Sequence, residues 1–258
     1  MRILVRTSKW AIWARRFGAL ALPLAALPVL LHREQWITSD NFEVIEAIAL
    51  SLAAIALLCG LFAMARLWVT GDQGWGRATQ AVVFGALCLA PAGYLAFEAA
   101  RLPATPDVST DFANPPQLVS FIPARFVGPE ERARIEAAFP NARTRTYPVA
   151  VTDMFTVVEQ LVAERGWDVR SRRVPLNALG TGQLNAVAVT LFGWRQEVAL
   201  RVTGTADGAN VAMRSASLTS FHDFAENGLR IEAFLVDLDN KVTLLLRDAP
   251  STPVTPDE

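Results

Sequence analysis

Asp223, Asn227 and Arg230 follow one another at spacings of four and three residues, and the stretch Arg214-Ser215-Ala216-Ser217 just before them supplies a guanidinium and two hydroxyls. A carboxylate, an amide and a guanidinium on one helical face can do one of two things. They can satisfy one another and the nearby hydroxyls as a closed network, because burying such groups unpaired costs roughly 1–3 kcal/mol each. Or they can hold an anion or a polar headgroup, with an arginine giving charge and a helix amino terminus giving free N–H donors. The pattern leaves that choice open, so Arg214, Ser215, Ser217, Asp223, Asn227 and Arg230 stand as a binding site or a structural polar network.

Catalysis is the sharper alternative. His222-Asp223 lies close to Ser217 and Ser220, but no Gly-x-Ser-x-Gly elbow occurs, and residues adjacent within one turn rarely set an imidazole between a nucleophile and an acid. Ser220, three residues before Asp223, reads better as a helix cap. With only His32 and His222 in the chain, and no acidic run at metal-loop spacing, neither a metal site nor a cofactor is expected. Gly180-Thr181-Gly182 falls between strands and reads as a turn, not a phosphate loop. No catalytic residue is assigned; an envelope enzyme with a polar site around Arg214, Asp223, Asn227 and Arg230 is the runner-up reading.

The elements that must position these residues follow from periodicity. Residues 209–217 read as a strand that turns into a helix from near Phe221 to about Arg247, with Phe234, Leu238 and Leu245 continuing the polar stripe into the core. Upstream, Thr152 or Asp153 can cap a helix running through Arg165, with Phe155, Val158, Leu161 and Val162 inward and Gly166 as its stop. Trp167–Val174, Leu184–Trp194 and Gln196–Thr205 read as strands, the first carrying Arg170, Arg172 and Arg173 near an edge, and Asp207-Gly208 as a hairpin turn. Helix, four strands and helix make a two-layer α+β domain with a four-stranded antiparallel sheet packed on helices. Alternation leaves Glu197, Arg201, Thr203, Ala212 and Arg214 on an open face, with Glu197 as a counter-charge to the two arginines. A short exposed helix is expected over 129–138, with Pro129 at its first position. Leu102 to Gln117 reads as a linker, whose Ser109-Thr110-Asp111 and Asn114-Pro115-Pro116 can dock on the domain.

Hydropathy divides the 258 residues unevenly. Phe17–Leu31, Val44–Leu67 and Ala78–Phe97 are apolar stretches bounded by charge, giving three spans of which the first, with Pro23 and Pro28, is the weakest. Arg2, Arg6, Lys9, Arg15 and Arg16 precede the first span with no acid among them, and Arg66 and Arg77 flank the second loop, so the amino terminus is expected in the cytoplasm and everything after Arg101 outside. A cleaved signal peptide is the alternative for the first stretch, but no small-x-small site follows Leu31. Cys59 and Cys88 both lie in spans, so no disulfide framework is expected. From Arg101 onward sixteen basic residues face nineteen acidic ones, which argues against nucleic acid. The seven tryptophans, spread over spans and strands, read as interface and core residues. The expected division is a membrane domain over 1–101 with three transmembrane helices, a linker with a short helix over 102–146, an extracytoplasmic α+β domain over 147–248 and a disordered tail over 249–258.

The residues also carry a resemblance. Arg214-Ser215-Ala216-Ser217, Asp223, Asn227 and Arg230-Ile231 resemble the signature of the domain-of-unknown-function family 1499, Arg-Ser-x-Ser-Arg-x-Gly-x-x-Asp-x-Gly-x-Asn-x-x-Arg-Ile. Ser109-Thr110-Asp111, Pro115-Pro116, Tyr147-Pro148 and Gly166-Trp167 are similar to further family motifs, so that the likeness covers roughly residues 107–240. The signature's second arginine is Leu218 here, its first glycine Ser220 and its second glycine Ala225. The resemblance implies membrane spans ahead of the domain and supplies no reaction.

Together these readings describe a multi-pass protein of the bacterial inner (cytoplasmic) membrane. Its extracytoplasmic, periplasmic domain is expected to bind membrane lipid, another envelope protein or another envelope component, and no nucleic acid.

Overall fold

A computed structural model describes residues 6–102, 104–120, 127–219 and 223–248. The chain divides into two compact units, one of residues 1–102 with Thr190–Trp194 and one of residues 103–189 with 195–258.

In the first unit, α1 (Lys9–Arg33), α2 (Ser39–Thr70) and α3 (Trp75–Arg101) are each long and apolar enough to cross a membrane. Pro23 and Pro28 lie inside α1 and Pro91 inside α3, and both helices run on past them. The side chains buried between the helices are small and recur every three or four residues: Ala11, Ala14, Gly18 and Ala21 on α1; Ala49, Ala53, Ala56, Gly60 and Ala63 on α2; Ala78, Ala81 and Gly85 on α3. Small residues at that period let helix backbones approach closely, which is how apolar helices associate where burial from water supplies no drive. A Cβ on Gly85 would stand 2.7 Å from the Ala53 carbonyl oxygen. Leu27, Leu30, Leu58, Leu87 and Phe97 point outward from the bundle. Thr38 caps α2 by accepting from the Asn41 N–H, and Gly71, at φ 69°, ends it in the left-handed conformation.

The second unit is built on one antiparallel sheet of β1 (Asp107–Ser109), β2 (Arg145–Tyr147), β3 (Asp168–Arg173), β4 (Thr181–Val189), β5 (Arg195–Thr205) and β6 (Gly208–Ser217). The sheet has six strands, where periodicity gives four. The order is β1-β6-β5-β4-β3, and β2 also pairs with β6. Asp107↔Ala216 and Tyr147↔Ala209 set the two short strands against opposite halves of β6. Three-residue strands are too short to show an alternation. The expected linker thus supplies an edge strand, and Tyr147-Pro148 ends another.

Helices α4 (Pro129–Ala138), α5 (Val151–Glu164) and α6 (Glu226–Asp248) complete the unit. Helix α5 starts from Ala150 with no side-chain cap, so Thr152 and Asp153 sit inside its first turn, where the acid still suits the helix dipole. Its buried face holds Phe155, Val158, Leu161 and Val162, joined by Val151, Met154 and Val157. It packs against β4, β5 and β6, and α6 against β6 and β1. The alternate residues Val198, Leu200, Val202, Val211 and Met213 are wholly buried. Strand β3 is the far edge, exposed along its whole length, and carries Arg170, Arg172 and Arg173. The expected disordered tail lies outside the described residues.

Candidate functional site

Adjacent strand residues point to opposite faces, so β6 divides the Arg-Ser-x-Ser motif. Ser215, in register with Val198 and Val108, shares the face of the apolar core. Arg214, in register with Ala199 and Ser109, shares the other.

On the core side, Asp223 and Asn227 are 2% and 0% exposed. The Thr105 N–H donates to Asp223 Oδ1 at 2.8 Å and the Thr105 hydroxyl to Oδ2 at 3.1 Å. Asp223 Oδ2 also accepts from the Asn227 backbone N–H at 3.2 Å and from its side-chain amide at 3.0 Å. The same Nδ2 lies 3.2 Å from the Thr105 carbonyl oxygen and 3.0 Å from Ser217 Oγ, while Oδ1 accepts from the Ser215 hydroxyl at 2.7 Å. Every polar atom of the Asp223 and Asn227 side chains is therefore engaged inside the protein. Sequence spacing sets Asp223 on the helix from near Phe221, but α6 begins at Glu226, and Asp223 stands before it as an acceptor for the helix's free N–H groups. The chain makes that turn with Phe224 at φ 52° and Ala225 at φ 64°, both left-handed. Ser220, Phe221 and His222, and with them the expected cap and the Ser, His and Asp grouping, lie outside the described residues.

Arg230 stands apart from Asp223 and Asn227. Its Nη2 donates to Glu226 Oε1 at 3.0 Å, and Glu226 Oε2 accepts from Gln196 at 3.4 Å. Arg230 Nη1 and Gln196 Oε1 are buried without a hydrogen-bond partner among the described residues. Burial holds the Arg230 guanidinium below the usual arginine range and pushes the Glu226 carboxyl above the usual carboxylate range.

On the opposite face, Arg214 holds Asp107 with both oxygens, at 2.9 and 2.6 Å, and reaches the Pro116 carbonyl oxygen at 3.4 Å. The paired Asp107 carboxylate raises the guanidinium further above its usual range. The face on which Arg214 lies is not open, as alternation alone implies. Residues 111–120 cross it, held by polar side chains of the sheet. Arg201 donates to Asp111 at 2.8 Å; the amides of Gln183 and Asn185 both donate to the Gln117 carbonyl oxygen at 2.7 Å; and Glu197 accepts from the backbone N–H groups of Val119 and Ser120. Glu197, 1% exposed, is thus the anchor for a strap; as a counter-charge it adds a secondary attraction to Arg214, while the direct ion pairs of Arg201 and Arg214 are with Asp111 and Asp107. Beside the strap a cleft of about 340 Å³ is lined by Asp111, Asn114, Thr144, Thr181, Arg201, Thr203, Asn210 and Ala212.

The six candidate residues therefore fall into three groups: Ser215, Ser217, Asp223 and Asn227 around Thr105; Arg230 with Glu226 and Gln196; and Arg214 with Asp107. Residues 105–107 join the first and third groups, because Thr105 and Asp107 are the fixed partners on the two sides. Thr105, Asp107, Asn185, Gln196 and Glu226 take part without having been picked out from the sequence. Their one signal is complementarity, since each inward charge or amide needs a partner somewhere in the chain, and spacing does not say where. Tyr147, from another of the motifs, donates to Asp239 on α6 at 2.6 Å, and burial holds its phenol well above the usual range. Among the described residues no group of three His, Cys, Asp or Glu side chains could hold a metal ion.

No curated protein and no solved structure matches the chain. A family model described as "Protein of unknown function (DUF1499)" matches residues 107–238, which is half of the chain and takes in all six strands, α4, α5 and α6 as far as Leu238. The chain belongs to that family, with three helices long and apolar enough to span a membrane ahead of the matched domain.

Proposed function

We propose that this protein is anchored in a bacterial inner membrane by three spans, with its amino terminus in the cytoplasm, and presents the family domain outside as a binding module without catalysis. In this reading the helices form one layer on the Val198, Leu200 and Val202 face of the sheet. The cleft beside the strap takes a polar envelope component, either a lipid headgroup or a segment of another envelope protein. The single observation that carries it is the internal pairing of the Asp223 and Asn227 side chains. An enzyme pocket would keep such groups aimed at solvent, ready for substrate. Here they hold residues 105–106 in place, and a polar surface left for a ligand is the cleft with Arg201, Asn210 and their hydroxyl neighbours.

The placement is tested with a cysteine introduced at Thr205 in a variant lacking Cys59 and Cys88. Labelling by an impermeant thiol reagent in intact cells is the expected result, and labelling only after lysis overturns it. Binding is tested by purifying the whole protein in mild detergent and identifying what comes with it by mass spectrometry. A lipid or protein that is retained by the unaltered chain and lost with Arg201→Ala is expected. Equal retention by both overturns the assignment of the cleft.

A further inference from the structure

The end of the helix bundle that holds the first turn of α1 is rich in cations, and Asp72 is the acid among its described residues. Ile12, Arg15, Arg16 and Ala19 lie at helical spacing along one side of α1 and, with Arg77 from the first turn of α3, line a recess of about 450 Å³. Among the described residues none of these three arginines pairs with a carboxylate. Arg16 lies over the Trp13 ring at 5.0 Å, a contact that leaves its N–H donors unused. Asp72, the acid of the loop between α2 and α3, accepts from the Thr70 hydroxyl at 3.2 Å and does not line the recess.

The depth of this recess follows from two independent features. Trp10 and Trp13 on α1, Trp68 near the end of α2 and Trp75 at the start of α3 are all exposed. The Ser8 N–H donates to the Gln73 carbonyl oxygen at 3.0 Å, so these three helix ends are neighbours and the tryptophans share one level. Exposed tryptophans on one level of a bundle mark the water–lipid boundary. In addition, the apolar run Phe17–Leu31 is about 22 Å long as a helix, less than the ~30 Å of a hydrocarbon core, so Arg15 and Arg16 are drawn to the headgroup region. Three guanidiniums at that depth face phosphate, whose geometry they match with paired N–H donors.

We propose that Arg15, Arg16 and Arg77 form a site for a phosphate group at the membrane boundary. The inference rests on the membrane reading of the three helices but not on the cleft or on any partner of the family domain. The phosphate belongs either to an anionic lipid or to a soluble phosphate, and the experiment separates the two.

The full chain, purified in mild detergent and stripped of lipid, is mixed with phosphatidylglycerol, with phosphatidylcholine or with inorganic phosphate, and bound adducts are counted by native mass spectrometry. Preferential retention of phosphatidylglycerol is expected, falling at least about tenfold in R15Q/R16Q/R77Q and by less in R15K/R16K/R77K, which keeps the charge but not the paired donors. Inorganic phosphate binding with the same dependence on the three arginines also supports the site, and identifies a soluble ligand. Equal retention of phosphatidylglycerol by the unaltered and triple-glutamine chains, or no binding of phosphatidylglycerol above phosphatidylcholine together with none of inorganic phosphate, overturns it. Far-UV circular dichroism checks that the helices persist. If the triple variant does not fold, Arg77→Gln alone, at an exposed position in the first turn of α3, is read by the same measure and must lower retention.

Discussion

Gly85 of α3 and Asn227 of α6 are both buried with no room to spare, for opposite reasons. Gly85 fits because it has no side chain, and the Ala53 carbonyl oxygen occupies the space a Cβ would need. Asn227 fits because every atom of its amide has a partner, in Ser215, Ser217, Asp223 and the backbone of residues 105 and 106. The first unit is joined through what its contact surfaces lack and the second through what its side chains carry. Apolar helices in lipid gain little from hiding carbon, so close backbone approach decides their packing. A domain in water gains from hiding carbon already, and its polar groups then decide which of several compact arrangements is allowed, because any arrangement that leaves them unpaired is expensive.

The largest expected effect comes from removing a hub of the polar set. Asp223→Ala strands the Thr105 N–H and hydroxyl and the Asn227 backbone N–H, and is expected to destabilise the second unit by about 3–5 kcal/mol. Urea unfolding of the detergent-solubilised protein measures this. A loss under about 1 kcal/mol would mean that the network is ornament and that the comparison with the first unit fails.

Next comes Gly85→Val, which puts two methyl groups and a Cβ against the Ala53 carbonyl and is expected to weaken the α2–α3 contact by about 1–3 kcal/mol. Crosslinking between cysteines placed on these helices reads it out, while the urea transition of the second unit stays where it was. Coupled loss in both readouts would show that the two modes of cohesion are not separable.

A smaller change, of opposite sign, is expected at Ala225, which adopts φ 64° where the family signature has glycine. Ala225→Gly should stabilise the second unit by about 0.5–1 kcal/mol, since glycine enters the left-handed region without a Cβ clash. No gain, or a loss, would show that burial of the methyl group outweighs the backbone strain.

The smallest effect concerns pH. Burial raises the Glu226 carboxyl above its usual 4.5, with Arg230 pulling the other way. An acid that titrates higher when folded keeps its proton there, so its contribution to stability is present below the unfolded value and is lost as pH rises through the raised one. The stability of the unaltered protein relative to Glu226→Gln is therefore expected to fall as pH climbs past 4.5. A difference that is flat with pH, or that rises, would assign the Glu226 and Arg230 contact to solvent-screened surface chemistry.

How much of this was legible in the chain depended on the length over which a pattern repeats. Helices α1 to α3 announce themselves by apolar runs, α5 by Phe155, Val158, Leu161 and Val162, and β4 to β6 by alternation with a turn at Asp207-Gly208. Strands β1 and β2 span three residues each and adjoin prolines, so no period exists to be seen. Their pairing partner, β6, is what makes them strands. The covering of the second sheet face by residues 111–120 was hinted at by Ser109-Thr110-Asp111 and Pro115-Pro116, which is an odd mixture for a free spacer, but the anchoring roles of Gln183, Asn185 and Glu197 depend on contacts 66 to 78 residues away in sequence. The separation of Arg214 from Ser215 could have been foreseen, since neighbours in a strand never share a face. Helix periodicity extended one turn too far toward the amino terminus masked the true position of Asp223, and the left-handed pair Phe224 and Ala225 gave no warning because neither residue type favours that conformation.

The outermost strand, β3, offers its full length of unpaired backbone to any passing extended segment, a hazard for a sheet of this size. Its side chains include Arg170, Arg172 and Arg173. Arg170 pairs with Asp168 and Arg172 with Glu159, so two copies meeting rim to rim would have to dehydrate or break those ion pairs, and ribbon growth and strand exchange are discouraged at the place where they would otherwise begin.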